Sequence, residues 1–280
     1  MSIELPEAKI FAEQMNRELR GKRIKNYHLR DYERLQKIGF INKDIRSFDQ
    51  LVNREVKSVT SRGNTIRIEL DEGMNIILSP EYGGEIFYHA CETTVPDRFH
   101  LKLDFCDKAV LTVRLTSMGG IQVLKDAELM SSYVFRRDFN PEILSPIDEN
   151  FTFERFSKLL ADSNRALKQV LVGKDAVAVG VSNSTFQDVI YRAKLHPKRK
   201  ASELNSDEQK ALYNAVKLVL RERIRLNGKS QFFDLYRNQG GYAPAMGPNM
   251  REQNCPVCGN PIKELSLGGG KVFVCTKCQA

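Results

Sequence analysis

The sequence predicts an α+β protein of several domains: a leading helix, a β domain built as a sandwich or barrel, a helical domain and a C-terminal four-cysteine zinc finger. Three observations carry this. Residues 23–135 run in short stretches of period two, helical spacing takes over after about residue 148, and two Cys-x-x-Cys pairs close the chain. The 280 residues suit about two domains of roughly 100–200 residues each, with a small module to spare.

The first helix is read from Pro6 to Arg20. Ile10, Phe11, Met15 and Leu19 recur three and four apart, Glu7 sits in the first turn and Gly21 follows the last. The β domain then begins. Val59 to Leu70 reads as strand, Gly63 turn and strand, with Ile66, Ile68 and Leu70 alternating. Met74–Leu78, Leu101–Phe105, Ala109–Leu115 and Ile121–Leu124 continue the series. Asn140-Pro141 and Ser145-Pro146 form a linker. Beyond it, Phe153, Phe156, Leu159 and Leu160 make one helical stripe, and Ala166, Leu167, Val170 and Leu171 another. Thr185 to Leu195 is a helix stopped by His196-Pro197. Ser206-Asp207-Glu208-Gln209 reads as a capping box for a long helix ending at Asn227-Gly228. Residues 229–254 read as one loop leading to the finger. The expected domains are 1–135, 148–250 and 251–280.

Cys255, Cys258, Cys275 and Cys278 give Cys-x2-Cys-x16-Cys-x2-Cys, the spacing of a tetrahedral zinc site with four thiolate ligands. Four thiolates leave no open position, so one structural Zn2+ is expected. A redox dithiol needs one such pair, not two. Cys91 and Cys106 stand alone and are expected to be buried small apolar residues.

The charge is uneven. Residues 192–280 hold 16 Lys+Arg and 7 Asp+Glu, so the whole surplus of the +8 chain lies in its last third. That is the footprint of a localised polyanion-binding region. No apolar run approaches the ~20 residues needed to cross a bilayer, and the N-terminus has no secretion pattern. An intracellular, cytoplasmic protein with no membrane partner is expected.

Glu4-Leu5-Pro6-Glu7, a β domain, a helical domain in which Gly180-Val181-Ser182-Asn183 is followed by Phe186 to His196-Pro197, and Cys255-Pro256-Val257-Cys258-Gly259-Asn260-Pro261-Ile262 with Cys278-Gln279 occur in this order. Together they resemble the formamidopyrimidine-DNA glycosylase/endonuclease VIII family over nearly the whole chain. The resemblance implies a β-sandwich, a helix–two-turn–helix domain and a zinc finger. It implies an enzyme that flips an oxidised or ring-opened base out of DNA, excises it, and nicks the strand by amine-based lyase chemistry. The implied partner is double-stranded DNA, damaged or abasic, bound by a monomer in the nucleoid.

The resemblance also assigns residues. Glu4 matches the family acid/base and Glu7 its second carboxylate, but Ile3 occupies the place of the catalytic proline. Loss of Met1 would leave the Ser2 amine one residue further out, up to ~3.5 Å of chain. The phosphate-holding hairpin Lys becomes Asn64, after Arg62-Gly63. The Arg of the zinc hairpin becomes Gly270 beside Lys271, with Lys277 a second cation on the finger. Asn183 is placed to hold a phosphate at a helix start. Tyr82 and Met118 are the residues in position to fill the void left by a flipped base. These substitutions predict a glycosylase/lyase-like protein of weakened or altered catalysis. The alternative is a non-catalytic protein that binds damaged or structured DNA on the same scaffold.

Overall fold

Glu4 is extended (φ −117°, ψ −178°) and Pro6 lies in the first turn of helix α1 (Leu5–Leu19), where its missing N–H would be unpaired in any case. In the computed structural model, which describes residues 3–81, 83–91, 95–173 and 175–279, the chain divides into two compact units. One is Met1–Asn140 with Leu226–Gly241; the other is Pro141–Arg225 with Tyr242–Ala280.

In the first unit, α1 buries Ile10, Phe11, Met15 and Leu19 and ends before Gly21, whose φ of +81° breaks the helix. β1 (Ile24–Leu29) and the short helix α2 (Tyr32–Lys37) follow. Then come β2 (Val56–Arg62), β3 (Thr65–Leu70), β4 (Met74–Ser79), β5 (Glu85–His89), β6 (Leu101–Phe105), β7 (Val110–Arg114) and β8 (Gly120–Lys125). They form two antiparallel four-stranded sheets, ordered β1-β6-β7-β5 and β2-β3-β4-β8, so the β domain is a sandwich. Ile66, Ile68 and Leu70 point inward as their alternation predicts. β4 instead is buried on both faces. Ile76 and Leu78 enter the sandwich core, while Ile77 meets Leu129 and Phe135 on the outside. Phe135 belongs to α3 (Tyr133–Asp138), a six-residue helix that sequence periodicity does not reveal.

The segment after the helical domain departs from expectation. Instead of forming one loop over 229–254, residues 226–241 return to the sandwich. Phe232 and Leu235 are fully buried in its core, and the Phe232 ring meets the edge of Phe11 at 4.9 Å. The buried carboxylate of Asp234 accepts from Asn238 N–H (2.8 Å), Tyr236 N–H (3.0 Å) and Gln14 Nε2 (2.9 Å). Burial alone would raise its pKa; these donors lower it instead. Replacing Phe232 by Ala should therefore destabilise this unit by about 3–5 kcal/mol, read by denaturant unfolding. A loop that merely lies on the surface would lose less than about 0.5 kcal/mol.

The second unit contains α4 (Phe153–Ala161), α5 (Leu167–Leu171), α6 (Asn183–Arg192), α7 (Ser206–Arg225) and the hairpin β9 (Lys263–Leu267)–β10 (Gly270–Val274). The box that opens α7 lies one residue earlier than expected. Asn205 Oδ1 accepts from Glu208 N–H at 3.0 Å and Glu208 Oε2 from Asn205 N–H at 2.9 Å. Asn205 and Ser206 are both good cap residues, and Ser206 already lies inside the helix. Arg223, in the last turn of α7, is buried against α6, where it donates to Thr185 Oγ1 at 2.8 Å.

Candidate functional site

In the first unit, the start of α1 and the returning loop together build a buried charged cluster. Glu4 and Glu7 are both fully buried, and Glu7 Oε2 accepts from Glu4 N–H at 3.1 Å, half of a capping box made with carboxylates. Lys229 joins them. Its backbone N–H donates to Glu7 Oε1 at 3.2 Å, and its Nζ lies 3.6 Å from Glu4 Oε1. Sequence reasoning did not find Lys229 as a site residue; it sits just past Asn227-Gly228 in a stretch without periodicity. Ser2 lies outside the described residues.

The β2–β3 hairpin carries Arg62 and Asn64. Gly63 has φ +57°, and a Cβ there would stand 2.7 Å from the Asp138 carboxyl carbon. That carboxylate, 2% exposed, accepts from Asn64 N–H (3.2 Å), Thr65 Oγ1 (2.6 Å) and Arg137 Nε (2.6 Å). Burial works against the charge of Arg137, but Asp138 and Glu81 outweigh it and raise its pKa. Arg62 Nη1 donates to the carbonyls of Asp138 (2.5 Å) and Asn140 (2.6 Å). The tip that displays the Asn64 side chain is thus held from behind by one buried carboxylate. An Asp138→Asn change keeps the shape but replaces an acceptor-only group by a half-donor. It should cost about 1–3 kcal/mol and raise hydrogen exchange at Asn64 and Thr65. Unchanged exchange there would show that the turn holds its shape without Asp138.

In the second unit, α6 and the finger are joined by side chains. Asn183, at the first turn of α6, donates to the Lys271 carbonyl at 2.9 Å, and its Oδ1 accepts from Lys168 Nζ. Gln187 Oε1 accepts from Phe273 N–H at 2.8 Å. Tyr191 hydroxyl meets Cys255 Sγ at 3.3 Å, and burial followed by that contact raises the Tyr191 pKa. Gln279 ties Cys275 N–H to the Leu195 carbonyl. Lys271 is exposed and pairs with Glu264 at 2.6 Å, lowering the Glu264 pKa; such a pair exchanges partners readily in water. Lys277 is exposed on the second knuckle.

The four cysteine sulfurs lie within 4.8 Å of one another, with Cys255–Cys278 at 3.8 Å and Cys258–Cys275 at 3.4 Å. A tetrahedron with Zn–S bonds of ~2.3 Å has edges of about 3.8 Å, so the residues fit the ion. Against burial, Tyr191 and the knuckle N–H groups bring the Cys255 thiol down to about 6. Hydrogen bonding to Cys258 pushes Cys278 up to about 12, because crowded thiols cannot all ionise without a cation between them. The four cysteines form one structural zinc site.

Met118 is half exposed beside Gly119, in the loop between β7 and β8; Tyr82 lies outside the described residues. Cys91 and Cys106 are both exposed, not buried as their residue type suggests. Cys106 falls in the tight turn after β6, and Cys91 in a bend after β5, where neither can reach the core.

This combination defines an architectural class: a helix-led β-sandwich, a helical domain and a four-thiolate finger docked on it. Residues 3–117 match the formamidopyrimidine-DNA glycosylase N-terminal domain, 143–234 the formamidopyrimidine-DNA glycosylase H2TH domain, and 253–280 the zinc finger found in FPG and IleRS. The chain belongs to the formamidopyrimidine-DNA glycosylase family. It is 28% identical over 284 residues to the formamidopyrimidine-DNA glycosylase of Roseiflexus sp. (strain RS-1), covering 99% of both chains. To that of Ligilactobacillus salivarius (strain UCC118) it is 25% identical over 281 residues, covering 99% of this chain and 98% of the relative. Its fold matches that of Lactococcus lactis Fpg in a complex with abasic-site DNA, with TM-score 0.83, 20% identity and 99% of both chains covered. It also matches MutM (Fpg) from Thermus thermophilus, with TM-score 0.82, 22% identity, and 99% and 98% covered. Among the described residues, no helix is long and apolar enough to cross a membrane.

Proposed function

We propose that the protein binds damaged or abasic double-stranded DNA as a monomer and acts on it as a DNA glycosylase/AP lyase whose catalysis is altered by the loss of the proline before Glu4. The domains in this reading are 1–135, 148–250 and 251–280, with 226–241 of the second completing the sandwich, and its setting is the nucleoid of the cytoplasm. The observation that carries it is the fully buried Glu4 at the head of α1, in a chain of this family that keeps an intact zinc site. Glu4 is the acid/base, Glu7 its structural partner, and the Ser2 amine a displaced counterpart of the family nucleophile. Asn64 and Arg62, Asn183, Lys271 and Lys277 face the phosphates, with Arg62 also bracing its hairpin. Tyr82 and Met118 fill the void.

A second reading is favoured by Ile3 and Asn64, which together remove an amine and a cation. It makes the protein a non-catalytic binder of damaged or structured DNA. Duplex binding with and without an abasic site tests what the two readings share. Affinity should favour the abasic duplex by about tenfold and fall at least tenfold between about 50 and about 200 mM salt. Equal affinities, or binding indifferent to salt, would remove both.

A further inference from the structure

We propose that Lys229 supplies the amine for strand cleavage, forming a Schiff base with the aldehyde of an abasic site. The proposal rests on the glycosylase/lyase reading above and deepens it by naming the nucleophile. Ile3 leaves no secondary amine beside Glu4, yet the structure places a primary amine there from a distant part of the chain. Lys229 Nζ lies 3.6 Å from Glu4 Oε1, and the residue is 7% exposed. Both ends of Lys229 are fixed. Its N–H is held by Glu7 and its carbonyl accepts from Phe232 N–H at 2.8 Å. Gly228, at φ +85°, and Gly240, where a Cβ would strike the carbonyls of Gly228 and Lys229, allow the loop to fold this closely.

A buried ion pair is a poor way to stabilise a core, since well-packed apolar residues of the same volume commonly do as well or better. A lysine amine sheltered from water is, however, a nucleophile that carbonyl chemistry uses, and a carboxylate beside it is placed to take its proton. The balance closes with no added redox partner. The Lys229 ammonium passes a proton to Glu4 and its nitrogen bonds to C1′ of the aldehyde. The aldehyde oxygen leaves as water with the two protons lost from nitrogen, giving an iminium. Glu4 carboxylate then takes a proton from C2′, and the C3′–O bond breaks with the phosphate leaving. Water hydrolyses the iminium, releasing an unsaturated aldehyde and restoring the ammonium. The positioning matters because a displacement of ~1 Å in a reacting group can cost about a hundredfold in rate.

The test is borohydride trapping of the full chain on an abasic-site duplex, followed by proteolysis and mass spectrometry. The expected adduct lies on the peptide that contains Lys229. Lys229→Arg, which keeps the charge facing Glu4, should cut its yield at least tenfold while abasic-duplex affinity stays within about twofold. An adduct on the N-terminal peptide, or one undiminished in Lys229→Arg, overturns the assignment and leaves the lyase reading standing. Binding of the abasic duplex without any adduct also overturns it and selects the non-catalytic reading. Failure to bind the abasic duplex removes the functional reading itself, and this proposal with it. Peptide mapping on the unaltered chain keeps the test independent of how the variant folds.

Discussion

Stripping the metal with a chelator is expected to unfold residues 253–279 and abolish measurable DNA binding while leaving the sandwich folded. The β9–β10 hairpin has two strands, and an isolated pair of strands is marginal in water at best. Its apolar support is a small cluster of Phe273, Cys255 and Cys275 with Tyr191 and Met246, beside the buried Val272 and Val274 of β10. Structural zinc contributes an apparent ~10–16 kcal/mol in small finger peptides, more than such a cluster can replace. Lys271 and Lys277 would then lose their fixed positions, and Asn183 the carbonyl it binds. Hydrogen exchange on 263–274, with metal content measured in parallel, reads the first effect; duplex retention reads the second. Persistent protection in metal-free protein would show that packing on α6 suffices. Cys275→Ser should reproduce the chelator result.

The second large effect concerns Glu4. Changing it to Gln leaves the Lys229 amine in a buried site facing a neutral amide, and removing one partner of a buried pair costs about 3–5 kcal/mol. Strand cleavage should fall about a hundredfold or more, the usual cost of losing a general acid/base. Adding Lys229→Met to Glu4→Gln should restore most of the stability, because the charge and its partner are then both gone. Cleavage should not recover. Thermal unfolding and a nicking assay on the same samples separate these effects. A double variant as unstable as the single would mean that the two groups are not energetically coupled.

What the sequence reveals about this site follows the range of the interactions involved. The zinc ligands are legible because each knuckle is local and the spacing between knuckles is set by one hairpin. Glu4 and Glu7 are legible as a helix start because a single turn relates them. Lys229 is not, since the α1 residues that give it meaning lie more than 220 positions away and no period marks the loop between them. Phe232 and Leu235 look like stray apolar residues in a polar stretch until α1 is seen beneath them. The Asn205 cap illustrates a finer limit. Two adjacent residues with similar chemistry compete, and backbone geometry decides between them. Cys91 and Cys106 show that residue type predicts burial only where the turn allows it.

The crossing of Leu226–Gly241 back to the sandwich bears on modularity. A piece ending at Asn140 would lack two core aromatic and aliphatic plugs, Phe232 and Leu235, together with the lysine that neutralises its own diacid. It would thus be a poor candidate for an autonomous fragment. Gene fusion or recombination at that seam would be penalised, so the two halves of this chain are constrained to be inherited together.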